Sequence, residues 1–407
     1  MMRIYLNITV SAIILLASLP SAAQQVTRSE QVPGLRPYKV DLPLMTSAEK
    51  DSVRMVADLW KRYVASFTTA SVSKEERKAM WMDGTPDYLL EFDDGNLLYA
   101  SFREDRILDI RKIGQGTYEI IAMTKSRLPG EEYADWVESV FRVCAMAVAK
   151  PETGALENPF RLCNWLDAII PTLTKASSGR IEYYCDKGCF PDRKVVQAEN
   201  LYLERFLEEY SIDFTAPVRY VVAPDPDRCE RLSGFLFNAY SNPLMATVNA
   251  KATAPGFYGR SFGNDTVMSN YFDDRHSIGL LLIRAGFPSA LPMMQEGVAS
   301  YHGGYMTCSY KDLKASLQRF LNDNPGLNMA DEDGFYDTII PLLKDGKPNL
   351  AVAPLEGILG ALLVEHALEL EGQGMVRQLL ECKKYPDLFA VFGVEARNIN
   401  QYVRMLL

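Results

Sequence analysis

Asp274–Gly304 reads DRHSIGLLLIRAGFPSALPMMQEGVASYHGG and carries two of the chain's three histidines, His276 and His302. From Asp273 to the C-terminus the pattern predicts almost continuous helix with short breaks. Two histidines four apart on a helix face the same way and can bind one ion, and a glutamate between them can activate a metal-bound water. Here the pentapeptide beginning at His276 is His-Ser-Ile-Gly-Leu. Ser277 stands at the position of the base, and a serine hydroxyl is no base near neutral pH without a partner to take its proton. Leu280 stands at the second ligand position and has no lone pair to offer. Neither a GxSxG elbow nor an SxxK pair surrounds Ser277, so it is not expected to act as a nucleophile.

The segment resembles the core of the gluzincin, or peptidase-MA-like, zinc peptidases. In that family one helix carries HExxH and a second, beginning near a proline and reading EGxAxY, supplies a glutamate. Glu296-Gly297-Val298-Ala299-Ser300-Tyr301 matches the second helix, and Leu291-Pro292 stands where that helix should start. The resemblance spans residues 190–407 and implies a mostly helical domain with a small sheet. It carries over only His276 and Glu296 from a set of three protein ligands, whereas a catalytic zinc keeps three and a water. His302 is the candidate substitute ligand. Asp273 and Asp274 lie at the wrong end of the helix to replace Leu280, and His366 reads as a packing histidine. The expectation is a degenerate member with no catalytic residue and no cofactor, in which His276 and Glu296 are a vestigial hydrogen-bonded pair and Ser277 and Tyr301 border the old cleft. The family also pairs extended peptides with an edge strand before the motif helix, a place taken here by Gly263–Val267.

Working outward, Val195–Tyr210 places Leu201, Leu203, Phe206 and Leu207 in a helical stripe, and Val218–Val222 reads as a strand. Pro224-Asp225-Pro226-Asp227 should cap a further helix, since an aspartate side chain accepts free N–H groups at a helix start. Nearer the N-terminus, Thr46 and Glu49 form a capping box ahead of an amphipathic helix with Val53, Val56, Leu59, Trp60 and Val64 on one side. Short runs follow at Tyr88–Phe92, Asn96–Phe102, Ile107–Ile113 and Tyr118–Thr124, separated by Asp94-Gly95 and Gly114-Gln115-Gly116, which are hairpin signals. Two further apolar runs, Trp136–Val148 and Arg180–Tyr184, close the region. Together these make an α+β chain: a cystatin- or nuclear-transport-factor-like roll over residues 46–186, then the helical domain.

Residues 1–23 read as a secretory signal: Arg3, an apolar run from Ile8 to Leu19, and Ser21-Ala22-Ala23 before the cut. The run is shorter than the ~20 apolar residues of a spanning helix, so no membrane span is expected in the mature chain. Residues 24–45 form a Pro-punctuated linker. With 48% hydrophobic and 23% charged residues the chain is expected to fold, and its net charge of −9 without a basic cluster makes it a poor partner for nucleic acid or anionic membranes. Seven cysteines leave at least one unpaired; Cys144 with Cys163 and Cys185 with Cys189 are the local pairing options. Asp331-Glu332-Asp333-Gly334 lacks the EF-hand layout and reads as a solvated turn.

The expected function is that of an exported, inactive zinc-peptidase homologue, in the periplasm, at the cell surface or outside the cell, that binds a peptide or protein partner or serves structurally. Two alternatives accompany it: an active zinc peptidase with a non-standard ligand set, and small-ligand binding by the N-terminal roll.

Overall fold

A computed structural model describes residues 47–68, 72–82, 102–126, 137–147, 158–238, 259–262, 265–330 and 338–407. The expected signal, the linker, the strand at Tyr88–Phe92, most of Asn96–Phe102 and the acidic loop lie outside the described residues. The class is α+β, and the chain divides into two compact units, Met1–Trp165 and Leu166–Leu407.

In the first unit, helices α1 (Ser47–Thr68) and α2 (Lys74–Ala79) precede four strands, β1 (Phe102–Gly114), β2 (Thr117–Ser126), β3 (Val137–Ala147) and β4 (Phe160–Asn164). The strands form an antiparallel sheet in sequence order. α1 buries Val53, Val56, Leu59, Trp60 and Tyr63, a stripe at three- and four-residue spacing that needs an apolar partner, and it finds one in β1 and β4. The β1–β2 turn works because Gly116 takes φ 68°, a left-handed conformation that costs glycine nothing. Cys144 and Cys163 are direct register partners across β3 and β4.

In the second unit, α3 (Trp165–Ile169) leads into β5 (Thr174–Ser178) and β6 (Ile181–Cys185), then α4 (Arg193–Tyr210), β7 (Val218–Val222), α5 (Pro226–Ser233), β8 (Phe235–Asn238), β9 (Gly259–Phe262) and β10 (Thr266–Ser269). A mixed sheet has the order β5-β6-β7-β10-β9; β6, β7 and β10 run parallel, and the outer strands are antiparallel to their neighbours. Helices α6 (Arg275–Gly286), α7 (Pro292–Gly303) and α8 (Tyr310–Asp323) follow, then strands β11 (Ile339–Lys344) and β12 (Lys347–Pro354). Helices α9 (Leu355–Leu370), α10 (Gln373–Glu381), α11 (Tyr385–Ala390) and α12 (Ile399–Met405) complete the chain. One continuous core runs from Ile181 to Val403. α6 is buried over all eight residues from His276 to Ile283, as befits a helix apolar on every side.

Three sequence expectations are corrected here. The boundary falls at 165/166 and not near 186, because Ile181–Cys185 pairs in parallel with Val218–Val222 and so belongs to the second sheet. Helix is not continuous after Asp273: β11 and β12 form a hairpin whose turn places Asp345 at φ 52° and Gly346 at φ 74°, the paired left-handed conformation a type I′ turn requires. And the described end of the segment Gly263–Val267 does not lie on an edge strand. Val267 lies in β10, which is bonded on both sides, to β7 and β9; among the described residues the outer strand on that side of the sheet is β9.

The capping expectation at Asp225 holds: its Oδ1 accepts the Arg228 N–H at 2.7 Å. Asp225→Ala is expected to cost about 1 kcal/mol, read as a fall of roughly 2–4 °C in the unfolding midpoint.

Candidate functional site

α6 starts at a tightly specified point. Asp273 has φ 71° although it is not a glycine, and Asp274 caps the helix by accepting the Ser277 N–H at 3.1 Å. Asp273 N–H is held in turn by Glu199 of α4, whose Oε1 accepts it at 2.8 Å. Tyr183 donates to the other Glu199 oxygen at 2.5 Å. Glu199 is fully buried; desolvation pushes its carboxyl up to about 7, against the hydrogen bonds from Tyr183 and Asp273 that favour the charged form. Burial likewise raises the Asp274 carboxyl.

α7 meets α6 head to tail. A Cβ on Gly303 would lie 2.5 Å from the His276 backbone nitrogen, so only glycine admits this approach. The crossing brings His276 Nε2 to 3.2 Å from Glu296 Oε2, a close contact that leaves this buried nitrogen without a hydrogen-bond partner, whereas the expectation is a hydrogen-bonded pair. The other carboxylate oxygen, Oε1, lies 3.5 Å from Arg284 Nη2. Burial alone would raise the Glu296 carboxyl, but contact with His276 and the charge of Arg284 outweigh it and hold it below the ordinary range. Arg284 also reaches β9, with Nη1 at 3.3 Å from Ser261 Oγ. The His276 ring stands edge-on to Tyr305, centroids 4.8 Å apart.

The remaining expected residues disperse. Leu280 is buried in the core. Ser277 is buried at the helix start, not on a cleft wall. His302 faces α4: Nε2 sits 2.9 Å from Tyr210 Oη, and its ring stacks edge-on against Phe206 and Tyr210. Burial lowers it to about 4. It is thus a packed, neutral histidine engaged with Tyr210, not a ligand beside Glu296. A half-open cavity of about 290 Å³ does adjoin the start of α6, bordered by Asp274, His276, Tyr301, His302, Cys308 and Tyr310, so Tyr301 does border a cavity. His366 packs against Phe392 and Tyr402, as a packing histidine should.

A zinc ion fits this donor set poorly. His276 and Glu296 supply two ligands, and the position that should supply the third is an alkyl side chain. A guanidinium already pairs with the glutamate. No group of three His, Cys, Asp or Glu side chains able to hold a metal occurs among the described residues. The sequence reading missed Arg284 and Glu199. Arg284 had a signal, since it continues the four-residue spacing of His276 and Leu280; Glu199 had none beyond its place in an amphipathic helix.

Comparison with protein-family models, curated proteins and solved structures returns no match to this chain. Among the described residues no helix is long and apolar enough to cross a membrane.

Proposed function

We propose that this chain is an exported protein of zinc-peptidase-like layout whose metal chemistry has been lost, and that it acts by holding a peptide or protein partner or as a structural subunit. The observation that carries the reading is the contact of the two helices. α6 and α7 bring His276 and Glu296 within 3.2 Å, as a gluzincin-like pair would be, while Leu280 is buried where the second ligand belongs and Arg284 neutralises the glutamate. The mixed sheet ahead of α6, with the antiparallel strand β9 beside Arg284, supports the peptide-holding half of the reading. An outer antiparallel strand offers main-chain groups to an extended segment.

The test is metal analysis of the mature protein purified without chelator. The expected content is far below stoichiometric zinc, with no peptide cleavage that a chelator abolishes. About one zinc per chain, together with chelator-sensitive cleavage lost in Glu296→Ala, would overturn the reading.

A further inference from the structure

His276, Leu280 and Arg284 lie four residues apart on α6 and therefore share one face. His276 and Arg284 are about 12 Å apart along the helix axis, at 1.5 Å per residue. Yet a single carboxylate, Glu296, reaches Nε2 of the first at 3.2 Å and Nη2 of the second at 3.5 Å. The Arg284 side chain must therefore run back toward the start of the helix, over the turn that carries Leu280, as long helical side chains do. It is held there from two sides, by Glu296 of α7 and by Ser261 of β9. Its Nε is buried without a hydrogen-bond partner, while the side chain as a whole keeps 39% of its surface exposed.

We infer that Arg284 is a built-in cation in the place of the metal, covering the position from which a residue at 280 would ligate, and that it excludes zinc independently of the missing histidine. The inference rests on the peptidase-like reading of α6 and α7. A dication at this point would face a guanidinium carrying like charge, and it would have to take the Glu296 carboxylate from Arg284. Restoring the lost ligand would therefore not restore the site. The missing ligand at 280 is only half of the obstacle; the counter-charge is the other half.

Zinc affinity is measured by competition with a chromophoric chelator for the full mature chain and for Leu280→His, Arg284→Gln and the double variant. The natural chain and both single variants are expected to take no zinc in competition. The double variant is expected to bind at least about 10–100-fold more tightly than Leu280→His, the range through which groups around a metal's ligands change affinity. Leu280→His binding as tightly as the double variant would overturn the role of Arg284 while leaving the metal-free reading intact. Stoichiometric zinc in the natural chain would overturn that reading itself. Because histidine at 280 is placed in the core, a charge cycle gives a second readout that needs no change there. Arg284→Gln should lower the unfolding midpoint, and adding Glu296→Gln should recover part of the loss. Strictly additive losses would show that Arg284 is not the counter-ion of Glu296, and would overturn the inference.

Discussion

Gly297→Ala is expected to lower the midpoint of thermal unfolding by roughly 6–12 °C, corresponding to about 3 kcal/mol in a unit of this size. On propensity alone the change should help, since alanine in a helix interior is favoured over glycine by about 1 kcal/mol. Geometry reverses the sign. An added Cβ would lie 2.4 Å from the Gly360 carbonyl carbon, 2.6 Å from its Cα and 2.8 Å from the Ala361 nitrogen. All three are backbone atoms, so no side chain can swing aside. The contact is reciprocal: a Cβ on Gly360 would fall 2.2 Å from the Met293 carbonyl oxygen. α7 and α9 thus cross backbone to backbone, and alanine must push them apart. Glu296 is the neighbouring residue, so the displacement also disturbs its contacts with His276 and Arg284. Gly374→Ala is the control, because nothing lies within 4 Å of its Cβ position in α10; it should leave the midpoint unchanged or raise it slightly. Circular dichroism melts decide the matter, and a Gly297→Ala melt within about 2 °C of the natural chain, under 1 kcal/mol, would sink the argument.

That glycine also shows what the sequence discloses and what it withholds. EGxAxY could be read as a helix with a glutamate, and Pro292 as its start, because a proline at the first helical position and an apolar run are local signals. That position 297 must be glycine follows from a helix some sixty residues further on, which no local pattern announces. The same distinction explains the other differences. Asp345-Gly346 is a local hairpin signal, but Pro341 and Pro348 beside it weaken the strand pattern, and the apolar residues around them read equally well as helix. The pairing of Ile181–Cys185 with Val218–Val222 is a long-range choice, so the boundary drawn near residue 186 followed local texture and missed it. At the site, the four-residue spacing placed His276, Leu280 and Arg284 on one face, yet only the packed structure sends the guanidinium back to Glu296. His302 likewise shares α7 with Glu296, but the helix turns its ring toward Tyr210 and Phe206, where apolar packing and one hydroxyl satisfy it.

The second large effect is a pH dependence centred on Glu199. Its carboxyl has an ordinary value of 4.5 and is pushed up to about 7 in the folded protein, chiefly by desolvation. Below pH 4.5 the folded and unfolded chains both hold the proton, and the shift contributes nothing. Between 4.5 and 7 the unfolded chain releases it while the folded chain keeps it, so the folded state binds more protons and stability falls as pH rises. Above 7 both are ionised and the loss is complete, at about 3 kcal/mol for a shift of this size. Other buried groups act on the same profile: His302, lowered to about 4, withdraws stability in the opposite sense, as pH falls below its usual 6.5. The difference between the natural chain and Glu199→Gln isolates the one group. Glutamine keeps an acceptor for the Asp273 N–H, so the left-handed turn that starts α6 retains its anchor. Denaturant unfolding across pH 4–8 should show the advantage of Glu199→Gln growing by about 3 kcal/mol between pH 4.5 and 7 and then levelling. A difference that stays constant with pH would mean that the carboxyl titrates alike in both states, and one that shrinks would mean that its hydrogen bonds from Tyr183 and Asp273 outweigh its burial. The turn at Asp273 leads directly into Asp274 and His276, so Glu199 anchors the start of the helix that carries the site.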